Sequence, residues 1–388
     1  MKQPPPPFSC THSPQFPELL LQMESTLVIS TYQAGKVIFM SSIDEDQLVQ
    51  LPRDFARPMG MAVCDRKLAV AVRNSVVILA RSSEMGPSYP PQPGVYDSVY
   101  IPTANYFTGA VDMHDMSWGN EGLWGVNTLF SCLSLIDDDY SFQPAWMPPF
   151  ITELAGEDRC HLNGLAMEDG VPRYVTALGA TDSSKEWRND KVGGGIVIDV
   201  QTDEIVLRGL AMPHSPRLYQ GKLFLLLSAT GELVCADLET GKYDVVAKMN
   251  GFVRGMCLYG DYLFVGMSRL RKTSTAFSNL PISKGSVQSG ITIVHLPSGS
   301  VMGQLVYKSS CEEIYDVQIL AGVKRPGILG LNPRRGPRGI LVPDGGFWNR
   351  NLKKEESAQR PGKKSFDNET GQENGMGQEN GMGQEEEE

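Results

Sequence analysis

Three histidines recur along the chain at a spacing that suits a metal site. His114, His161 and His214 are 47 and 53 residues apart, and each lies at the start of a short run predicted to form a β-strand. Imidazoles from separate strands that converge on one point suit Zn²⁺, Fe(II), Cu or Mn, with one coordination position left for water or substrate. We therefore predict that these histidines bind a divalent metal, with Zn²⁺ or Fe(II) preferred.

Charged and polar residues at neighbouring positions would complete an active site. Beside a metal, Arg254 would stabilise a developing oxyanion and Tyr315 would act as a general acid or base. Glu313 and Asp115 are predicted to act with them, because a carboxylate can fix an imidazole tautomer or serve as a fourth ligand. Substrate binding is predicted for a further set of polar and aromatic side chains: Arg57, Asp112, Asn163, Trp187, Arg188 and Arg217.

A repeated supersecondary unit positions these residues. Five antiparallel hairpins recur along the chain, from GMAVCDRKLAVAV at 60–72 to GMCLYGDYLFVGMS at 255–268, each with a tight polar turn. Each hairpin is followed by a second pair of predicted strands. Four strands per unit, repeated every 40 to 60 residues or so, indicate the blades of a β-propeller.

The two ends of this repeat complete each other. EIYDVQIL at 313–320 has the pattern of a first strand without its hairpin, whereas 26–51 supplies three strands without a first one. Pairing them closes the ring and leaves no exposed sheet edge. We predict an all-β, six-bladed propeller over 26–323, an N-terminal arm over 1–25 and a disordered, basic-then-acidic tail over 324–388. The alternative is a pair of β-sandwich domains.

First strands line the channel of a propeller, so side chains at equivalent positions of these strands should meet there. Alignment of the hairpins makes six positions equivalent: Met59, His114, Asn163, His214, Arg254 and Tyr315. His161 lies two residues before its equivalent position, which is about 6 to 7 Å along an ideal strand. A bulge or tilt at 158–160 must absorb this offset. Long connections lie on the same rim, and one of them carries Trp187 and Arg188 as a predicted lid.

Composition limits the partners and the compartment. The 388 residues carry a net charge of -10, and this charge belongs to the predicted propeller, because 324–366 (11 basic, 3 acidic) and 367–388 (8 acidic) cancel. An acidic body argues against nucleic-acid binding, and its carboxylates near the histidines favour a bound cation. The seven cysteines include no CxxC pair, the N-terminus has no secretory h-region, and no stretch is long enough to span a membrane. We predict a cytoplasmic protein without a membrane association.

Several phrases resemble an uncharacterised, propeller-like family of conserved hypothetical proteins. DRCHLNGLAM (158–167) and MPHSPRLYQGKL (212–223) are the most specific of them, and the similarity covers roughly 25–326. The resemblance implies a propeller fold and no settled activity. In architecture alone, three channel histidines are similar to the zinc site of peptidyl-hydroxyglycine amidating lyases, and a metal-bearing propeller is similar to streptogramin lyases.

Three functions remain open from the sequence. The leading hypothesis is a metal-dependent enzyme that acts on a small molecule or peptide as a lyase or hydrolase, with iron-dependent oxygenation second. The alternative is a non-catalytic propeller whose loops bind a protein partner. A lactonase-like enzyme with Ca²⁺ bound by carboxylates and Asn163 is the third, against which the crowding of imidazoles argues.

Overall fold

Six antiparallel sheets surround a central axis in the described part of the chain. The computed structural model describes residues 5–270, 277, 279–285, 287–331 and 338–349. Each sheet is a blade of four core strands paired in sequence order from the axis outward. The bounds of the first three blades are β25 (Asp316–Leu320), β2 (Thr26–Thr31), β3 (Lys36–Ser42) and β4 (Leu48–Asp54); β5 (Met61–Cys64), β6 (Lys67–Val72), β7 (Ser75–Ser82) and β8 (Ser98–Tyr106); β9 (Met113–Gly119), β10 (Gly122–Asn127), β11 (Cys132–Ile136) and β12 (Gln143–Trp146).

The remaining blades follow in chain order. Their bounds are β13 (Leu162–Glu168), β14 (Val171–Ala177), β15 (Gly195–Asp199) and β16 (Glu204–Leu210); β17 (Pro213–Tyr219), β18 (Lys222–Leu227), β19 (Glu232–Asp237) and β20 (Lys242–Lys248); β21 (Phe252–Tyr259), β22 (Tyr262–Ser268), β23 (Gly290–His295) and β24 (Ser300–Tyr307). Hairpin turns of the type I′ kind join the first two strands where both turn residues have positive φ, as at Asp169–Gly170 and Gln220–Gly221.

The predicted closure of the ring is confirmed. β25 pairs antiparallel with β2, from Thr26 opposite Leu320 to Ser30 opposite Asp316. The first strands contact one another in the cyclic order β5, β9, β13, β17, β21, β25 and back to β5. Blade 1 is therefore built from both ends of the propeller sequence, and every first strand has two neighbours.

The core consists of layers between adjacent blades. The middle strands of each blade are buried on both faces, and the side chains of alternate residues pack against the blades on opposite sides. In β2, Val28 packs against blade 2, whereas Leu27 and Ile29 pack against blade 6. This explains the continuous apolar runs of these strands, because neither face meets water. The burial of apolar area between neighbouring blades holds the ring together.

Both flanking segments add to the propeller. β1 (Cys10–His12) pairs with β24 at the outer edge of blade 6, and the helix α1 (Gln15–Gln22) buries Phe16, Leu19 and Leu20 in the layer between blades 6 and 1. In the described residues, this is the one α-helix; two short 3-10 helices span Glu186–Asn189 and Pro281–Lys284. No helix of the described residues is long and apolar enough to cross a membrane.

The predicted start of the disordered tail at 324 is wrong. β26 (Pro326–Ile328) pairs in parallel with β8, and β27 (Gly339–Val342) forms a hairpin with β28 (Gly345–Trp348). Their apolar side chains, Leu329 and Trp348 among them, pack against Met85 and Tyr89, which offsets the entropy of ordering them. Residues 350–388, the greater part of the predicted tail, lie outside the described residues.

A belt of contacts between first strands fixes the channel. A side chain of one first strand accepts a backbone N–H of the next in three blades: Asp115 from Leu165 (3.1 Å), Ser215 from Gly255 (3.1 Å) and Asp316 from Met61 (2.8 Å). The equivalent residues of the other three blades are Gly60, Gly164 and Gly255. A Cβ on Gly60 would lie 2.8 Å from the His114 carbonyl oxygen and 2.9 Å from the Asp115 Cα, so only glycine allows this approach.

We expect Gly60→Ala to lower the free energy of unfolding by about 1 to 3 kcal/mol, because its methyl group forces the backbones of blades 2 and 3 apart. Gly330→Ala is the matched control, since no heavy atom lies within 4 Å of an added Cβ there. Urea titrations followed by circular dichroism measure both. Equal free energies of unfolding for the two variants would contradict the claim that the first strands approach too closely at Gly60 for any residue but glycine.

Candidate functional site

His114 and His214 are oriented by the same local structure in blades 3 and 5. The residue two positions earlier has a left-handed backbone in each case, Asp112 (φ 52) and Met212 (φ 56). This turn directs its carbonyl oxygen to the imidazole, at 3.0 Å from Nδ1 of His114 and 3.0 Å from Nδ1 of His214. The ring orientation is thus set by the backbone before the strand.

A hydroxyl group at the end of the second strand of each blade fixes the tautomer. Thr128 Oγ1 lies 2.7 Å from Nδ1 of His114, and Ser228 Oγ lies 2.9 Å from Nδ1 of His214. Each hydroxyl donates its proton to a carbonyl of the next blade, at Leu162 or Val253, so it must accept from the imidazole. Nδ1 therefore carries the proton in both rings, and Nε2 presents its lone pair.

His161 reaches the site by a different path. Asp158 (φ 51) and His161 (φ 51) both have left-handed backbones, and these two turns absorb the two-residue offset. The Asp158 carboxylate accepts from Nδ1 of His161 at 2.9 Å and from Nε1 of Trp187 at 3.1 Å. The Nδ1 of this third imidazole is also held by an oxygen acceptor, so Nε2 is the nitrogen available to a ligand.

The imidazoles of His114 and His161 are close neighbours. Their ring centroids lie 4.8 Å apart at an interplanar angle of 80°. Two imidazoles bound through Nε2 to one tetrahedral ion at 2.0 to 2.1 Å would have their centroids about 5 Å apart. Within the described residues, however, no group of three or more His, Cys, Asp or Glu side chains is already arranged to hold a metal ion.

Burial keeps two of the histidines neutral. Loss of hydration, followed by the charge of Arg254, lowers the pKa of His214 to about 3, and its ring is 3% exposed. The pKa of His114 is held well below 6.5 by its enclosure and then by His161 and Arg254. A neutral imidazole is the form that binds a metal.

Arg254 and Tyr315 adjoin the imidazoles and hold unused hydrogen-bonding capacity. The Arg254 guanidinium bonds Glu313 at 2.5 Å and lies 3.8 Å above the Tyr315 ring, whose centroid is 5.4 Å from that of His114. The Nε atom of Arg254 and the hydroxyl of Tyr315 are buried and have no partner in the described residues. Burial raises the pKa of Tyr315 well above 10, so the phenol remains a donor.

Trp187 is part of the site wall and not an open lid. Its indole is 6% exposed, and its ring centroid lies 4.3 Å from that of His161. Arg159 connects the surrounding loops by salt bridges with Glu153 (2.5 Å), Glu157 (2.9 Å) and Asp182 (3.0 Å). Arg188 stacks its guanidinium 5.4 Å from the Trp187 ring.

Three of the predicted residues serve the propeller framework. The Asp115 carboxylate bonds Arg217 at 3.0 Å and accepts two backbone N–H groups, so it belongs to the belt. Asn163 accepts from Thr176 at 2.7 Å, with its amide nitrogen buried and unpartnered in the described residues. None of the three bonds an imidazole among the described residues. The functions predicted for them stay predictions without a supporting contact.

Arg57 and Asp112 lie at the exposed end of the site. Arg57 is exposed and contacts Tyr32, with its guanidinium 5.6 Å from the ring centroid. Asp112 is an exposed residue as well, although partial burial of its carboxylate raises the pKa of that group, and it is the carbonyl of this residue that contacts His114. Sequence analysis missed Asp158, Thr128 and Ser228; the left-handed turn and the strand-end hydroxyl repeat between blades 3 and 5, but only the fold shows that they meet the imidazoles.

The fold and the site define a six-bladed β-propeller with a histidine-bearing channel. The family model of a domain of unknown function, DUF4915, matches residues 14–329. The chain belongs to this family, which confirms the resemblance to an uncharacterised propeller-like family. No curated protein matches the sequence. Among solved structures, the crystal structure of a nidogen/laminin complex aligns with this chain at 10% identity and a TM-score of 0.49, over 77% of this chain and 99% of that one.

We expect the metal-free protein to lose stability as the pH falls from 6.5 toward 3. In the unfolded chain His214 binds a proton near pH 6.5, whereas in the folded chain it stays neutral until about pH 3. Between these values the free energy of unfolding therefore falls by about 1.4 kcal/mol for each unit that the pH is lowered, for this group. Urea titrations in EDTA measure the slope.

His214→Gln should reduce the pH dependence of the free energy of unfolding by the contribution of one proton. His295→Gln is the control, because His295 is outside the site and bonds Ser298. An unchanged slope in His214→Gln would contradict a buried neutral imidazole.

Proposed function

We propose that the protein is a metal-dependent enzyme that acts on a small molecule or peptide at the channel rim. The observation that carries the proposal is the shared state of the three imidazoles. Each Nδ1 contacts an oxygen acceptor, and no Nε2 has a hydrogen-bond partner among the described residues. Metal-binding histidines in proteins are oriented in this way, through the nitrogen that does not bind the ion.

The donor set suits Zn²⁺ or Fe(II). Neutral imidazoles are favoured by both ions, and a hard cation such as Ca²⁺ would prefer oxygen ligands. The 4.8 Å between the ring centroids of His114 and His161 is compatible with a shared ion. His214 would be the third ligand, although no group of three or more His, Cys, Asp or Glu side chains of the described residues is already arranged to hold an ion.

Arg254 and Tyr315 would bind the polar group of the substrate. A buried donor without a partner costs free energy, so its presence next to the imidazoles favours an acceptor supplied by a ligand. Glu313 holds the guanidinium in place, and Arg254 and Tyr315 would then donate to an oxygen that gains negative charge during the reaction. When bound, the ion would polarise a carbonyl or activate a water, which favours lyase or hydrolase chemistry over iron-dependent oxygenation.

The reduced state of the cysteines supports a cytoplasmic location for this activity. All seven are free thiols, and four of them are buried. Secreted domains of this kind commonly contain disulfides, whereas cytosolic proteins keep their thiols reduced.

We expect purified protein to bind about one equivalent of Zn²⁺ or Fe(II) per chain. Single substitutions His114→Ala, His161→Ala and His214→Ala should each remove most of it, as measured by inductively coupled plasma mass spectrometry. Replacement with Co²⁺ should give the visible spectrum of a low-coordinate site, which the variants lose.

The two remaining histidines provide matched controls. His12 and His295 lie in β1 and β23, away from the channel, so His12→Ala and His295→Ala should retain the metal. If the protein contains no stoichiometric metal, or if the three channel variants keep it, the metal-dependent enzyme is excluded and the non-catalytic binding module becomes the better hypothesis.

A further inference from the structure

A second cavity lies between the outer strands of blades 1 and 2, away from the histidines. It has a volume of about 420 Å³, within the range of small-molecule sites. One wall is formed by β3 and β4, through Phe39, Gln50 and Arg53. The other is formed by the connection after β7, through Tyr89 and Tyr96, and by Arg325 and the start of β26.

Two guanidiniums line this cavity without a carboxylate. Arg53 bonds the carbonyls of Ile328 and Pro52, and Arg325 has a buried Nε without a partner in the described residues. Neither forms an ion pair with any described carboxylate, although the chain carries a net charge of -10. In so acidic a protein, two unpaired arginines that share one cavity attract an anion.

Both charges converge on the same aromatic wall. Burial raises the pKa of Tyr96, and the charges of Arg53 and Arg325 oppose that rise, which places both guanidiniums near its phenol. Tyr96 packs edge-on against Tyr89 at 5.3 Å between centroids, and Pro91 lies in the same lining. The cavity thus combines two guanidiniums with aromatic and apolar side chains.

One of the two walls is built by segments that the ring of blades does not require. β26 lies beyond the closing strand, pairs in parallel with β8 and reaches across to β3 and β4. The connection after β7 is anchored to the same segment, because Asp97 accepts the backbone N–H groups of Lys324 and Arg325 at 2.8 Å each. These additions fix both arginine-bearing elements against each other.

We propose that this cavity is a second ligand site, for a small aromatic organic anion. Arg53 and Arg325 bind its phosphate or carboxylate group, since a guanidinium pairs with either in a bidentate manner. Tyr89, Tyr96 and Pro91 contact its ring. The site is independent of the channel and of any metal there.

The test uses the full chain and the fluorescent anion 8-anilinonaphthalene-1-sulfonate. Saturable binding at one site should weaken about tenfold or more in Arg53→Gln/Arg325→Gln, because each arginine supplies a charge-assisted hydrogen bond. Arg66→Gln/Arg208→Gln is the charge-matched control, since both residues are exposed and lie outside the cavity lining, and its affinity should stay within about twofold.

Two further measurements keep the result interpretable. Arg325→Gln alone should also weaken binding, and it removes no side-chain hydrogen bond to another described residue. The uncharged analogue N-phenyl-1-naphthylamine should be insensitive to all these substitutions. Phenyl phosphate and benzoate as competitors then distinguish a phosphate ligand from a carboxylate. The proposal is overturned if the arginine variants bind the sulfonate as wild type does, or if neither competitor displaces it.

Discussion

The close approach of the six first strands at the axis is the constraint on which the rest of this structure depends. Six backbones meet there, and side chains fit between them at alternate blades only. Asp115, Ser215 and Asp316 occupy blades 3, 5 and 1 and bond the next strand. The other three blades have glycine at the equivalent position, because a Cβ would collide with the neighbouring backbone.

Because polar residues and glycines alternate around the six blades, the features of the channel repeat at every second blade. The residues that precede the three polar belt positions are His114, His214 and Tyr315, so the two equivalent histidines come from alternate blades. His161 comes from an intermediate blade, where the equivalent residue is Asn163, and it needs two left-handed turns to approach His114. The site is asymmetric for that reason, and a rigid belt directly beneath it holds its members in place.

Much of the fold could be predicted from the sequence, because its signals are local and repeated. Glu313–Leu320 lacks a hairpin and Thr26–Leu51 lacks a first strand, and closure follows from that pair. The short strands after 324 were missed, since the composition of a Pro/Gly/Arg-rich segment hides the few side chains, such as Leu329 and Trp348, that pack onto blade 2. Contacts between side chains from distant segments, such as Asp158 with Trp187, leave no periodic signal.

The net negative charge of the propeller does not create a free negative charge at the histidines. Asp115 is neutralised by Arg217 within the belt, and Glu313 is neutralised by Arg254, so neither contributes a free negative charge to the histidines. Burial and the neighbouring Asp115 raise the pKa of Asp316 to about 7, which further reduces the charge of the channel. Asp158 acts through His161, whose Nδ1 proton it accepts. A cation bound at this site, as proposed, would therefore be held by imidazole lone pairs, which would favour a transition-metal ion or Zn²⁺ over an ion bound by net charge.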